Sequence, residues 1–135
     1  MASGVTVSSG SGDDEVCLVD DDASVLRSMQ YLLASDGIRV RAFNKPEEFL
    51  AHAAKNRVPV VVTDIWMEHV TGLEILARMC ALSPRPRVIV ITARDDLAAR
   101  ATAMAIGPVA FFIKPFNDEQ FLAAVHDALA QAHNS

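Results

Sequence analysis

The sequence predicts a single α/β domain: a doubly wound, five-stranded parallel sheet with five helices on its two faces. From Glu15 onward, short apolar runs of strand length alternate with segments whose apolar residues recur at helical spacing. The chain has 135 residues, 51% of them hydrophobic. That is enough for one core, and it leaves no room for a second folded domain.

The amino-acid composition argues against several classes of protein. The net charge is -5 and no Lys/Arg-rich run occurs, which argues against direct binding of nucleic acid or an anionic membrane. The longest apolar stretches fall well short of the ~20 residues that a membrane-spanning helix needs. No secretory signal is recognisable, and Cys17 and Cys80 are predicted to be buried, reduced thiols. We therefore expect a cytoplasmic protein.

The N-terminal segment differs in composition from the rest of the chain. Residues 1–13 are rich in Ser and Gly and carry few large apolar groups. Such a composition cannot offset the entropy lost on ordering, so we predict a flexible leader. The folded domain is predicted to span residues 14–133.

The strands are predicted from their apolar patterns and from the residues at their ends. Asp22 or Ser24 can cap the first helix, which Gly37 then ends. The next run alternates apolar and polar residues, as an edge strand does. Residues 58–63 are apolar enough to be buried on both faces, which places them near the centre of the sheet. The five predicted strands are residues 16–19, 38–43, 58–63, 87–92 and 109–113.

The helices carry recognisable start and stop signals. Pro46 suits the first turn of the second helix, and Pro84 follows the end of the third. Asp95-Asp96 place negative charge at the start of the fourth helix. Asn117 or Asp118 can cap the fifth. Three helical methionines are predicted to fill the core: Met29, Met79 and Met104.

Four of the five predicted strands end on a polar side chain. Asp20-Asp21-Asp22 follows the first strand, and Asp64 ends the third. Thr92 and Lys114 end the fourth and fifth. The carboxyl ends of parallel strands lie along one edge, where open α/β sheets bind their ligands. We therefore expect these groups to meet at one site.

The expected site suits a metal ion and a phosphoryl group. Carboxylates brought together from Asp20, Asp21 and Asp64 repel one another, so they take up protons or recruit a cation. Oxygen ligands without Cys or His favour Mg²⁺. A hydroxyl and an ammonium beside them can position and neutralise a transferring phosphoryl group.

Four separated motifs resemble the receiver domain of two-component response regulators. The likeness covers residues 15–132, and Gly72, eight residues after Asp64, also fits the pattern. It implies a flavodoxin-like sheet with strand order 2-1-3-4-5. The motifs are Val19-Asp20-Asp21, Thr63-Asp64-Ile65-Trp66-Met67, Val90-Ile91-Thr92-Ala93 and Ile113-Lys114-Pro115-Phe116.

The resemblance also implies a role for each site residue. Asp64 would accept a phosphoryl group from the phosphohistidine of a partner kinase. Asp20 and Asp21 would bind Mg²⁺ together with Asp64 and the backbone carbonyl of Trp66. The remaining implied features are a Thr92 hydroxyl and a Lys114 ammonium on phosphoryl oxygens, a switch aromatic at Phe111 that follows Thr92, and a cis Lys114-Pro115 bond.

The resemblance implies a signalling module rather than an enzyme with an external substrate. At most, the domain would phosphorylate itself from small donors and hydrolyse its own acyl phosphate slowly. Its partners would be a sensor histidine kinase or a phosphotransfer protein, and a downstream output domain or target. Phosphorylation would reshape the surface of the fourth helix, fifth strand and fifth helix, through which a homodimer is expected.

Three residues beside the site are predicted to set this chain's own metal preference and phosphoryl lifetime. Glu68 stands where receivers usually carry Pro, so the loop is expected to be looser and cation affinity altered. Trp66 and Arg94 stand two residues after Asp64 and Thr92. We predict that these two side chains stack as a cation–π pair and slow autodephosphorylation.

Two other functions compete with this interpretation. The chain also loosely resembles haloacid-dehalogenase-type phosphatases, in which Asp20 would be the nucleophile and Asp22 the acid/base. That reading gives Asp64 no role and provides no cap domain. The second alternative is a receiver-like interaction scaffold that cannot be phosphorylated. The sequence does not decide between a natural single-domain regulator and the N-terminal part of a longer one.

Overall fold

The computed structural model describes residues 15–133, in which strands and helices strictly alternate. The elements end within about two residues of the sequence-based predictions. The predicted leader, residues 1–13, lies outside the described residues. The elements are β1 Glu15–Val19, α1 Ala23–Ser35, β2 Arg39–Phe43, α2 Pro46–Lys55, β3 Val60–Asp64, α3 Gly72–Cys80, β4 Arg87–Thr92, α4 Leu97–Ile106, β5 Ala110–Ile113 and α5 Asp118–His133.

The five strands form one parallel sheet in the order β2-β1-β3-β4-β5, which confirms the predicted 2-1-3-4-5 topology. The register aligns the strand ends: Val19 lies opposite Phe43 and Thr63, and Thr92 opposite Ile113. Because the strands are parallel and in step, the residues that follow them emerge along one edge.

Helices cover both faces of the sheet. On one face, α1 and α5 pack against β1, β3 and β4 through side chains such as Leu33 and Phe121. On the other face, α2, α3 and α4 pack through Phe49, Leu76 and Ala103. The central strand β3 sends alternate valines into both layers, as its continuous apolar run predicted. Within residues 15–133, every helix is too short or too polar to span a bilayer.

Side-chain caps start four of the five helices. The Asp22 carboxylate accepts hydrogen bonds from the backbone N–H groups of Ser24 and Val25 at 2.9 and 3.3 Å, which confirms the predicted cap of α1. Such a cap stabilises a helix by about 1 kcal/mol. The loops that leave the functional edge of the sheet are therefore short and fixed. The other caps are Thr71 on α3, Asp96 on α4 and Asn117 on α5.

Two predictions about burial are wrong. Met104 was expected in the core but is 55% exposed, and Cys80 is only partly buried. Helix α4 buries the small side chains Ala99 and Ala103 against the sheet, which leaves Met104 on its outer face. Leu97, at the start of the same helix, is 82% exposed. Helix α4 thus presents apolar side chains to the surroundings.

Candidate functional site

The structure brings the predicted carboxylates to the carboxyl edge of the sheet. Asp20 directly follows β1 and is 3% exposed, whereas Asp21 is exposed. Asp64 is the last residue of β3 and is half-buried. Lys114 follows β5, and its ammonium acts electrostatically on both Asp20 and Asp64. The residues that the sequence placed at one site therefore do lie together.

Asp20 has one satisfied and one unsatisfied oxygen. Its Oδ1 accepts a hydrogen bond from the Asp22 backbone N–H at 2.9 Å. Its Oδ2 is buried and has no hydrogen-bond partner among the described residues; the Lys114 Nζ lies 3.7 Å away. A buried carboxylate oxygen left without a partner is costly, and a cation would compensate it.

The Asp64 carboxylate is oriented by the backbone that follows it. The Ile65 N–H donates to Asp64 Oδ1 at 2.7 Å, and the Trp66 N–H lies 3.5 Å from the same oxygen. These main-chain contacts were not predictable from residue identities, because any residue at either position supplies the same N–H. They fix how the carboxylate faces the site.

Burial makes both carboxylates reluctant to ionise. Burial raises the pKa of Asp20 to about 6, and the neighbouring charges of Asp64 and Asp21 add to the increase. Burial also raises the pKa of Asp64, although the Lys114 ammonium opposes this. A group of carboxylates that resists carrying charge together is a site that either holds protons or binds a divalent cation.

The donor set fits Mg²⁺. The carboxylates of Asp20, Asp21 and Asp64 offer oxygen ligands only, and the unpartnered Asp20 Oδ2 is a preformed acceptor. Asp21 Oδ2 accepts a hydrogen bond from the Glu68 backbone N–H at 3.0 Å, so the loop after β3 holds Asp21 in place. The Glu68 side chain is exposed, and its effect on cation affinity stays a prediction.

Thr92 and Lys114 end adjacent strands. Thr92 is 1% exposed; its hydroxyl donates to the Arg94 carbonyl oxygen at 3.1 Å and accepts from the Arg94 N–H at 3.1 Å. The Lys114 N–H donates to the Thr92 carbonyl oxygen at 2.8 Å, and the Lys114-Pro115 bond is cis as predicted. In this conformation the Thr92 hydroxyl is therefore engaged with the loop that leads into α4.

Arg94 stacks on Trp66, as the sequence predicted. The guanidinium carbon lies 4.3 Å from the centre of the indole ring. Trp66 Nε1 is buried without a hydrogen-bond partner among the described residues. The stack joins the loop after β3 to the loop after β4 beside the carboxylates. Phe111, the predicted switch aromatic, is half-buried, with the Arg100 guanidinium 5.3 Å from its ring.

Gly72 packs directly against the backbone of Asp64. A Cβ atom at Gly72 would lie 2.0 Å from the Asp64 carbonyl oxygen and 2.8 Å from the Ile65 Cα. Both distances are too short for a Cβ atom, so the backbone of Asp64 and Ile65 would have to move. The Gly72 N–H donates to the Ile65 carbonyl oxygen at 2.9 Å. The motif match at Gly72 thus has a steric cause: α3 begins in contact with the Asp64 main chain.

We expect Gly72→Ala to destabilise the protein by about 1–3 kcal/mol, the usual cost of overpacking. The added methyl group must push Asp64 and Ile65 away, so binding of Mg²⁺ should weaken as well. Urea unfolding and a Mg²⁺ titration measure both effects. Gly37→Ala is the matched control, because a Cβ there meets nothing within 4 Å and only the positive φ of +77° is strained. A Gly72→Ala protein that binds Mg²⁺ normally would contradict this account.

Without divalent cations, we expect the free energy of unfolding to fall as the pH rises from about 4 to about 6. In this window the folded protein keeps a proton on Asp20, whose pKa is about 6, while the unfolded chain has released it from a group of pKa 3.8. Raising the pH therefore favours unfolding, by up to about 3 kcal/mol from Asp20.

Mg²⁺ should raise the Tm strongly near pH 8 and weakly near pH 5, where protons compete for the site. Equal gains at both pH values would contradict the assignment.

A known protein family matches most of this chain. Residues 16–126 match the family model of the response regulator receiver domain. The chain belongs to the response regulator receiver family. Curated relatives of this receiver domain include the transcriptional regulatory protein FixJ of Bradyrhizobium diazoefficiens, 35% identical over 87% of this chain and 57% of FixJ. The response regulator protein TmoT of Ectopseudomonas mendocina is 30% identical over 87% of this chain and 53% of TmoT.

Solved receiver structures agree with the fold. The FixJ-N crystal structure has a TM-score of 0.78 and 34% identity, and the match covers 86% of this chain and 93% of FixJ-N. A response regulator receiver protein from Burkholderia phymatum has a TM-score of 0.75 and 38% identity over 86% and 94% of the two chains. The receiver described here is thus a signalling domain of a two-component system, and it spans about half the length of the curated relatives it matches.

Proposed function

We propose that this receiver accepts a phosphoryl group on Asp64 from the phosphohistidine of a sensor histidine kinase or phosphotransfer protein, with Mg²⁺ as cofactor. The observation that carries the proposal is the pair of carboxylates at the sheet edge, the buried Asp20 and the half-buried Asp64. Asp20 Oδ2 has no hydrogen-bond partner among the described residues, and Lys114 Nζ lies 3.7 Å from it. Mg²⁺ would supply positive charge to these carboxylates, and Mg²⁺ and Lys114 together would then neutralise the negative charge that the phosphoryl group adds.

Several residues of the chain would take part in the transfer of the phosphoryl group. An Asp64 oxygen attacks phosphorus, the P–N bond of the phosphohistidine breaks, and its electron pair returns to the imidazole, which takes up a proton. Mg²⁺, when bound by Asp20, Asp21, Asp64 and the Trp66 carbonyl, neutralises phosphoryl charge. Lys114 Nζ, now 3.7 Å from Asp20 Oδ2, would move to a phosphoryl oxygen.

Thr92 would change its hydrogen-bond partner when Asp64 is phosphorylated. Its hydroxyl must leave the Arg94 carbonyl oxygen, to which it now donates at 3.1 Å, in order to donate to a phosphoryl oxygen. Phe111 lies in the adjacent strand β5, where it pairs with Val90, two residues before Thr92, and it would follow the movement of Thr92. Burial of Phe111 would then alter the surface formed by α4, β5 and α5, which we name the output face.

The output face suits binding to a partner. Helix α4 contributes Leu97 and Met104, 82% and 55% exposed, which are seven residues apart and so lie on the same side of the helix. Val109, directly before β5, is 44% exposed. Exposed apolar side chains on one face are typical of interaction sites. We propose that this face binds a second copy of the receiver, or an output domain or target protein. A similar solved structure, that of the beryllofluoride-activated NtrC4 receiver domain, is a dimer.

We further propose that the receiver domain spans residues 14–133 in a cytoplasmic protein and turns over no external substrate. Glu68, whose backbone N–H binds Asp21 and whose side chain is exposed, would tune affinity for the cation.

Labelling with a small phosphodonor and Mg²⁺ separates the proposed function from its two alternatives. We expect the wild-type protein to incorporate phosphate and Asp64→Ala to incorporate none. If Asp20 were the nucleophile of a phosphatase, label would persist in Asp64→Ala and vanish in Asp20→Ala. An interaction scaffold would take up no label under any donor. Label that survives in Asp64→Ala would refute the proposal.

A further inference from the structure

A second group of metal-ligating side chains lies at the opposite end of β1 from the carboxylates. Glu15 and Cys17 belong to β1, and His52 belongs to α2. One carboxylate oxygen, the thiol sulfur and one ring nitrogen of these residues all lie within 4.8 Å of one another. The phosphotransfer chemistry makes no use of this group.

The fold explains why these three side chains meet. Glu15 and Cys17 are two residues apart in a strand, so both point to the same face of the sheet. That face is covered by α2, where Phe49 and Ala53 pack into the core and His52 lies between them on the same side. The arrangement is therefore built from regular secondary structure rather than from a loop.

The imidazole is held in position. His52 packs against Phe43, with ring centroids 5.3 Å apart, and Asn56 places its amide nitrogen 3.2 Å from His52 Nδ1 and 3.0 Å from the His52 carbonyl oxygen. Burial lowers the pKa of His52, so the ring is neutral and can ligate a metal. Because the Asn56 amide nitrogen is a donor, His52 Nδ1 accepts in this conformation. Ligation through Nε2 requires the proton on Nδ1, so the Asn56 amide would turn its oxygen toward that N–H when the ion binds.

The donor set selects the type of ion. A thiolate, an imidazole and a carboxylate are the ligands of Zn²⁺, whereas Mg²⁺ requires oxygen ligands. In a tetrahedral zinc site the donor atoms lie roughly 3.5 Å apart, so closure from the present spacing needs movements of about 1 Å. Arg41 Nε donates to Glu15 Oε1 at 2.9 Å, so the other carboxylate oxygen, Oε2, would be the one that binds the ion.

We propose that Glu15, Cys17 and His52 form a three-ligand site for Zn²⁺ or a similar thiophilic divalent cation, with water as the fourth ligand. Glu15 and His52 are partly exposed, so an ion and its water can enter from that side, while Cys17 closes the site from the core. Burial and the neighbouring Glu15 raise the pKa of the Cys17 thiol to about 12, so the ion itself must displace the thiol proton to solvent. The two anionic ligands then balance the charge of the ion. The receiver would then bind two different cations at the two ends of β1.

Titration of the full chain with Co²⁺ in excess Mg²⁺ tests the site. Cobalt replaces zinc in such sites and gives a thiolate-to-metal absorption band in the near ultraviolet. We expect one Co²⁺ per chain with this band, displaced by Zn²⁺. Cys17→Ser should abolish the band, and Cys80→Ser, the matched control, should keep it.

Because Cys17 is buried and Cys17→Ser can fail to fold, His52→Gln provides a second variant, checked for folding by circular dichroism. Folded His52→Gln should weaken Co²⁺ binding at least tenfold. The proposal fails if the wild type gives no band, if the band depends on Cys80, or if folded His52→Gln binds Co²⁺ as the wild type does. Asp64→Ala should leave the band unchanged, so this result is independent of the proposed phosphotransfer.

Discussion

Replacing Asp20 with Asn is expected to raise the Mg²⁺ concentration needed for half-saturation by about 100-fold or more. Loss of a group that merely orients a metal ligand costs about 10- to 100-fold in affinity, and loss of a charged ligand costs at least as much. The same change should stabilise the metal-free protein near pH 8, because it removes a carboxylate whose burial raises its pKa to about 6. The opposite signs of the two effects separate a metal-binding role from a structural one.

Trp66, the single tryptophan, follows Asp64 by two residues, and we expect its fluorescence to change when Mg²⁺ binds. Urea unfolding without Mg²⁺ measures the stability effect. The matched control is Asp22→Asn, which removes the same charge two residues away and keeps the cap of α1, because Asn caps helices as well as Asp does. If Asp22→Asn weakened Mg²⁺ binding as much as Asp20→Asn, the site would be a general acidic surface rather than a ligand set.

The second large effect is expected from the stack of Arg94 on Trp66. The ring and guanidinium, 4.3 Å apart, join the two loops beside the phosphoacceptor and would restrict the water that hydrolyses the acyl phosphate. A cation–π pair is worth about 0.5–2 kcal/mol. If loss of this pair lowered the activation free energy of acyl-phosphate hydrolysis by the same amount, Arg94→Ala would shorten the lifetime of the phosphoryl group about 2- to 30-fold.

Phosphoryl decay in Trp66→Ala, Arg94→Ala and the double variant tests whether the stack itself is responsible. If the two side chains act together, the double variant should decay no faster than the faster single variant. Arg78→Ala is the control, because Arg78 forms an exposed ion pair with Glu74 on α3, away from the two loops. Lifetimes equal to that of the wild type would remove any role for the stack in timing.

The fold was predictable because local signals agreed with global ones. The continuous apolar run of β3 indicated burial on both faces, and Asp22 and Gly37 mark the two ends of α1. The meeting of Asp20 and Asp64 at one edge follows from parallel topology alone, because parallel strands in register release their next residues on the same side. The resemblance then implied a role for each of these residues.

The features that escaped prediction depend on tertiary packing. Met104 was expected in the core, but α4 approaches the sheet through alanines, and nothing in its own sequence shows which apolar stripe faces inward. The unpartnered oxygen of Asp20 depends on the position of Lys114, a residue 94 positions later in the chain. The group formed by Glu15, Cys17 and His52 is not predicted from the sequence. The prediction for Cys17 is a buried thiol on its own, although Glu15, two residues earlier in the same strand, points to the same face of the sheet.

The central claim is that Asp64 carries the phosphoryl group, and direct mapping of the acyl phosphate tests it. The wild-type protein is incubated with acetyl phosphate and Mg²⁺, reduced with borohydride, which converts an aspartyl phosphate to homoserine, and analysed by peptide mass spectrometry. We predict homoserine at Asp64, dependent on Mg²⁺, and unmodified aspartate at Asp20 and Asp21. Homoserine at Asp20, or its absence from the whole chain when label has been incorporated, would contradict the assignment.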